Sequence, residues 1–201
     1  RPVYNIETRR FARGEFDMRI FIPGIGMVSA PEYLPIAEDS GQVRAVEYYA
    51  LHQVGAYIRR LLDAGREFDS IALPVSSILF LQEDFTEQAA ALIETFQIPA
   101  GKLALELPQD VFTMGNLAVN TTLQELSAMG AELILDNFGS GLSSITGLLD
   151  LSVNTLKLDR MLLWQLETNP KAAAVIRGLV QIVHDLGLNI IAEGVETEQQ
   201  L

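Results

Sequence analysis

Cysteine is absent from the 201 residues, and histidine occurs only at His52 and His184. The first absence excludes disulfides, thiolate-held metals and a cysteine nucleophile, and it fits a reducing compartment. The second excludes a multi-histidine metal centre, so any bound ion must rest on oxygen ligands. Both histidines fall in helical patterns, where packing or solvent accounts for them. No run of 18 or more apolar residues occurs, and none of the chain is expected to span a bilayer as a helix. Basic residues are scarce: 14 Lys and Arg stand against 26 Asp and Glu, a net charge of −12. Nucleic acid demands a basic surface, so general nucleic-acid binding is not expected. A small phosphate ligand neutralised by metal and one arginine stays compatible with that charge.

What the chain does have is apolar bulk. With 49% hydrophobic residues over 201 positions it can build one domain, 1–201, around a substantial core. Short apolar strands alternate with amphipathic helices. Strands are expected at 3–7, 17–22, 70–77, 102–108, 132–138, 155–161 and 189–195. Helices are expected near 31–39, 43–64, 85–97, 116–129 and 170–186. The last carries the clearest pattern: Asn169 as cap, Pro170 at the first position and Gly187 as terminator. Val175, Ile176, Leu179, Val180, Val183 and Leu186 form its apolar stripe. The opening "RPVYNIE" reads as a strand rather than a signal peptide.

Such alternation implies a mostly parallel sheet. Ser76, Glu106, Asp136, Asp159 and Glu193 fall at or near the C-terminal ends of successive strands. An open sheet gathers its ligands at one crevice, whereas a barrel points every strand end at one mouth. Acids spread over several strands converge only in the second case. The expected fold is therefore α/β, a (β/α)8-like TIM-type barrel. Thr197 and Gln200 have capping-box spacing, so "TEQQL" is read as a helix start that the chain leaves after about one turn. A last strand and helix are expected beyond residue 201, and further residues before Arg1.

The run "LDNFGSGLSSITGLLDLSVNTLKLDR" (135–160) closely resembles the EAL-domain family's "DDFGTGYSSL…LP(V)DxLKIDR". "IIAEGVETEQQ" (190–200) is similar to its "VIAEGVETxEQ", and "SAPEYLPIAEDSG" (29–41) to its "SPAEFIPLAEESG". The resemblance covers essentially the whole chain. It implies a barrel that hydrolyses cyclic di-GMP to the linear dinucleotide with Mg²⁺ or Mn²⁺. Two divalent ions about 4 Å apart can activate a water and stabilise the leaving oxygen, and such ions want hard oxygen ligands. Glu15 in "GEFDMRI" matches the glutamate of the naming motif, and Glu106 in "LELPQ" the glutamate of "LEITE". Asp136 matches the first acid of "DDFG", and Glu193 and Glu196 the acids of "EGVE". Carried over, Glu15, Glu106, Asp136 and Glu193 would hold metal, while Lys157 and Glu193 would serve catalysis if hydrolysis survives. Arg19, Asp159 and Glu196 would contact the ligand. The plainer readings are an Asp159–Arg160 ion pair and a helix-start acid at Glu196.

Other positions depart from the family. Its metal-binding asparagine falls on Pro74, which has no side-chain oxygen, and the second acid of "DDFG" is Asn137. The glutamate that braces the "DFGTG" loop is Gln109, and "EAL" itself reads "EFD", with Asp17 adding negative charge. These losses imply a degenerate member with at most one Mg²⁺ or Mn²⁺ ion. The carboxylates at one mouth repel unless a cation or a proton intervenes, so raised pKa values are expected among them. The resulting expectation is a non-hydrolysing regulatory module in bacterial cyclic di-GMP signalling, sensing the dinucleotide or binding a protein partner. The alternative is a metal-dependent cyclic di-GMP phosphodiesterase of low activity. The resemblance also implies adjacent sensory or GGDEF domains and a cytoplasmic location, including the cytoplasmic side of a membrane-anchored protein, with homodimerisation left open.

Overall fold

A computed structural model describes residues 1–113, 117–140, 148, 152–198 and 200. The chain opens with an antiparallel pair, β1 (Pro2–Asn5) and β2 (Arg10–Glu15), followed by a small separate sheet of β3 (Ile20–Ile22) and β4 (Gly26–Val28). Helices α1 (Ala30–Asp39) and α2 (Val43–Asp63) lead to β5 (Ile71–Pro74). Next come α3 (Ser77–Phe80), α4 (Phe85–Thr95), β6 (Leu103–Leu107), α5 (Gln109–Thr113) and α6 (Leu117–Ala128). The chain continues through β7 (Glu132–Phe138), β8 (Thr155–Leu158), α7 (Arg160–Trp164), α8 (Ala172–Asp185) and β9 (Asn189–Ala192). The large sheet runs β1-β2-β5-β6-β7-β8-β9, and every pairing from β2 onward is parallel. It curls into a (β/α)8-like barrel short of closure among the described residues. Among those residues, no helix is long and apolar enough to cross a membrane.

Side-chain alternation sorts the strands into two faces. Leu73, Leu105, Leu133, Leu135, Leu156 and Leu158 point outward into one large core shared with the helices. Leu51, Val54 and Ile58 of α2, Phe85 and Leu92 of α4, and Leu123 and Leu126 of α6 meet them there. Facing the other way, Ala72, Ala104 and Ile134 form a small inner cluster with Ile191. Below that plug Glu132 accepts hydrogen bonds from Arg13 (2.5 Å) and Thr155 (2.7 Å). Above it, the same inward register carries Glu15, Pro74, Glu106, Asp136 and Lys157 to the mouth.

Several expected elements are corrected. The first parallel strand is Arg10–Glu15, not 17–22, where only Ile20–Ile22 pairs, and with Gly26–Val28 rather than the barrel. "RFARGE" hid its strand character because Arg13 breaks the apolar pattern, and Glu132 inside the barrel is what neutralises it. Helix α8 begins at Ala172, later than expected. Asn169 Oδ1 accepts the Lys171 N–H (3.0 Å) and Asn169 O the Ala172 N–H (2.9 Å), making a turn ahead of the helix. Gly187 ends it as expected, in the left-handed conformation (φ 73°). On its stripe Leu179 and Val183 are buried, whereas Val175 stays 57% exposed, beyond the reach of the sheet. The expected helix at 197 is not formed among the described residues. Its cap geometry is, with the Thr197 N–H donating to Gln200 Oε1 at 3.1 Å.

Candidate functional site

Lys157, at the third position of β8, is 5% exposed and stands at the centre of the mouth. Its Nζ lies 3.1 Å from Glu15 Oε2, 3.1 Å from Glu106 Oε2 and 3.6 Å from Asp136 Oδ1. Glu15 ends β2, and Glu106 and Asp136 stand one and two residues before the ends of β6 and β7, so four strands converge on one ammonium. Among the described residues no three acids stand in metal-holding geometry. The charge balance is nonetheless incomplete. Asp136 Oδ1 is buried without a hydrogen bond, its 3.6 Å distance to Lys157 being ion-pair reach only.

Burial dominates the acid–base behaviour of this cluster. It pushes Glu106 up to about 7; Lys157 opposes the rise, while Glu15 and Asp136 add to it. Asp136 is raised by burial too, against Lys157 and a hydrogen bond from the Asn137 backbone, with Glu193 and Glu15 pushing the same way as burial. Burial alone would lower Lys157, but Glu106, Asp136 and Glu15 outweigh it and hold the ammonium above its ordinary range. The mouth is thus an acidic cluster around a fixed internal cation, with burial opposing the ionisation of Glu106 and Asp136.

A bulge aims Asp136. The β7–β8 register passes from Leu135↔Leu156 to Phe138↔Leu158, so Asp136 and Asn137 together stand opposite Lys157. Asn137 adopts the left-handed conformation (φ 57°), which asparagine tolerates better than most residues. Its amide donates to Asp136 Oδ2 at 2.8 Å, so it braces the neighbouring acid. Pro74 pairs in register with Glu106 at the end of β5. Ile71 and Val75 donate toward β6, so by alternation position 74 faces β2, whose pairing has ended at Glu15↔Ala72. Proline is confined to such ladder ends, where it cannot donate the next bond. Gln109 opens α5, just past β6; the glycine-rich stretch 141–147 lies outside the described residues.

The remaining expected residues divide. Glu193 follows β9 directly and is close enough to raise Asp136. Arg19 is turned back onto Asp17: its Nε and Nη2 lie 3.2 and 3.0 Å from Asp17 Oδ2. Asp159 caps α7 by accepting the Met161 N–H at 2.7 Å, which replaces the expected ion pair with Arg160; that guanidinium lies over the Trp164 ring. Glu196 is exposed at the rim, its N–H donating to Gln200 at 2.6 Å.

One residue of the site was not foreseen. Glu47 of α2 is 7% exposed and accepts hydrogen bonds from Ser76 N (2.9 Å) and Ser76 Oγ (2.5 Å). It fastens the turn after Pro74, where Ser76 Oγ also caps α3 by accepting from Leu79 N. Burial raises its pKa against those two bonds. An acid on the buried stripe of α2, between Val43 and Ala50, was the available signal.

Comparisons with known proteins agree with this architecture. The cyclic di-GMP phosphodiesterase PA2567 of Pseudomonas aeruginosa is 30% identical over 196 residues, covering 98% of this chain and 33% of its own. The bifunctional diguanylate cyclase/cyclic di-GMP phosphodiesterase MucR of the same organism is 30% identical over 178 residues, 89% of this chain and 26% of its own. The chain therefore spans at most about a third of these relatives. The solved structure of the PaMucR phosphodiesterase in its c-di-GMP complex superposes with a TM-score of 0.86 at 30% identity, over 92% of this chain and 76% of that one. The model of the EAL domain family matches residues 1–201, and with the acid-ringed barrel mouth in place, this chain belongs to the EAL domain family.

Proposed function

We propose that this EAL domain is a degenerate member that responds to cyclic di-GMP, or passes signals to a protein partner, without efficient hydrolysis. The observation that carries this reading is Pro74, which ends β5 in register with Glu106 and puts no side-chain oxygen where the family has a metal-binding asparagine. Asn137 adds a second loss, because a neutral amide oxygen is a poorer ligand for a dication than the carboxylate the family has there. Two-ion chemistry requires both ions in reacting geometry, and this donor set supplies oxygens for one. Glu15, Glu106, Asp136 and Glu193 are the residues that would hold such an ion. The hard oxygens and the orphaned Asp136 Oδ1 fit Mg²⁺ or Mn²⁺. A bound ion would supply Lewis acidity, held by these carboxylates in their ionised form.

That same orphaned oxygen favours the second reading, a slow cyclic di-GMP phosphodiesterase. The relatives named as cyclic di-GMP phosphodiesterases and the c-di-GMP complex of PaMucR support the ligand class for both. Incubation with cyclic di-GMP and Mn²⁺ followed by chromatography separates them. We expect the cyclic dinucleotide to be recovered intact, with a higher Tm when it is present. Linear dinucleotide formed at ordinary enzymatic turnover would overturn the first reading. Adjacent sensory or GGDEF domains and a cytoplasmic setting belong to the same proposal, with homodimerisation left open.

A further inference from the structure

Just past Glu15 the chain leaves the barrel, held by the Phe16 N–H donating to Ala72 O at 2.7 Å. That bond fixes Asp17 at the lip, with its side chain 19% exposed. One oxygen, Asp17 Oδ2, gathers the Arg19 guanidinium at 3.0 and 3.2 Å and the Arg1 guanidinium at 3.4 Å. Arg19 remains 52% exposed, so the pair is open to solvent and to exchange. A single anionic oxygen drawing together two guanidinium groups is the arrangement a phosphodiester oxygen would make in the same place.

We propose that Asp17 is an internal stand-in for phosphate, latching Arg19 while the mouth is empty and competing with an anionic ligand for it. The proposal rests on the reading of the mouth as a cyclic di-GMP site and adds what sets its affinity. A phosphodiester reaching Arg19 must displace the Asp17 carboxylate. It then lies beside that carboxylate, near a mouth whose three acids share the one Lys157 ammonium. Both effects oppose binding. Exposed ion pairs are individually weak, so the latch moderates affinity rather than closing the site. Ligands without a phosphate do not feel it.

Calorimetric titration of the intact chain with cyclic di-GMP, at low and at moderate salt, tests this on four proteins. These are the wild type, Asp17→Asn, Arg19→Ala and the double variant. Asparagine is nearly isosteric, and a thermal melt verifies that each variant folds. We expect Asp17→Asn to bind about tenfold tighter than wild type at low salt, with less gain at higher salt. We expect most of that gain to vanish when Arg19 is alanine. Binding with no gain in Asp17→Asn, or with an equal gain in the Arg19→Ala background, overturns the latch and leaves the ligand reading intact. No binding by the wild type and by Asp17→Asn overturns the ligand reading, and the latch with it.

Discussion

Glu106 sits 4% exposed beside Lys157, and burial holds its proton up to about 7. An unfolded chain releases that proton near the ordinary glutamate value of 4.5. Between those pH values the folded state binds more protons than the unfolded one, so stability falls as pH rises through that window. Urea denaturation with a chelator present should show this decline, on the order of a few kcal/mol from pH 5 to pH 7.5. Glu106→Gln should flatten it, and an unchanged slope would place the titration elsewhere. At Asn137 the sequence supplied only a missing charge. The structure adds two reasons for asparagine there: a left-handed backbone (φ 57°) and an amide bond to Asp136. The chemical loss and the conformational gain are at the same residue, which is why sequence alone assigned it to disablement.

At the scale of elements, strand ends position the site and short helices hold those ends. Ser76 illustrates the coupling: its hydroxyl donates to buried Glu47 and accepts from Leu79, tying α2, the end of β5 and α3 together. Ser76→Ala removes a cap and one of the bonds that Glu47 accepts. It should cost about 2–3 kcal/mol by urea denaturation. A loss below about 0.5 kcal/mol would mean that water replaces the hydroxyl easily. The β7 bulge works in the same way, spending one extra residue to set Asp136 opposite Lys157. Pro74 stands past the last β2–β5 pair, Glu15↔Ala72, at the ladder end where a proline is accommodated. These devices were not legible beforehand: a bulge and a closing ladder depend on the neighbouring strand, and so do the short helices α3, α5 and α7 on the loops they brace.

At the scale of the whole molecule, the outward leucines hold the layers together. Leu105 in the centre of β6 is 0% exposed, and Leu105→Ala should cost about 2–5 kcal/mol in urea denaturation while leaving the mouth's carboxylates in place. A loss under about 1 kcal/mol would contradict a close-packed layer. The sequence by itself determined the strand–helix alternation, the parallel sheet and the acids at its strand ends, because period-two and period-3.6 apolar patterns are local and each strand end is marked by a change to polar residues. It misplaced the first barrel strand, because Arg13 is at home there only beside Glu132, some 119 residues away in sequence. Only the tertiary structure decided that Lys157 occupies the middle of the acids, that Arg19 rests on Asp17 and that Asp159 serves a helix end. A residue's type fixes what it can bind; which partner it meets depends on the curvature of the sheet and the register between strands, and those arise from long-range packing.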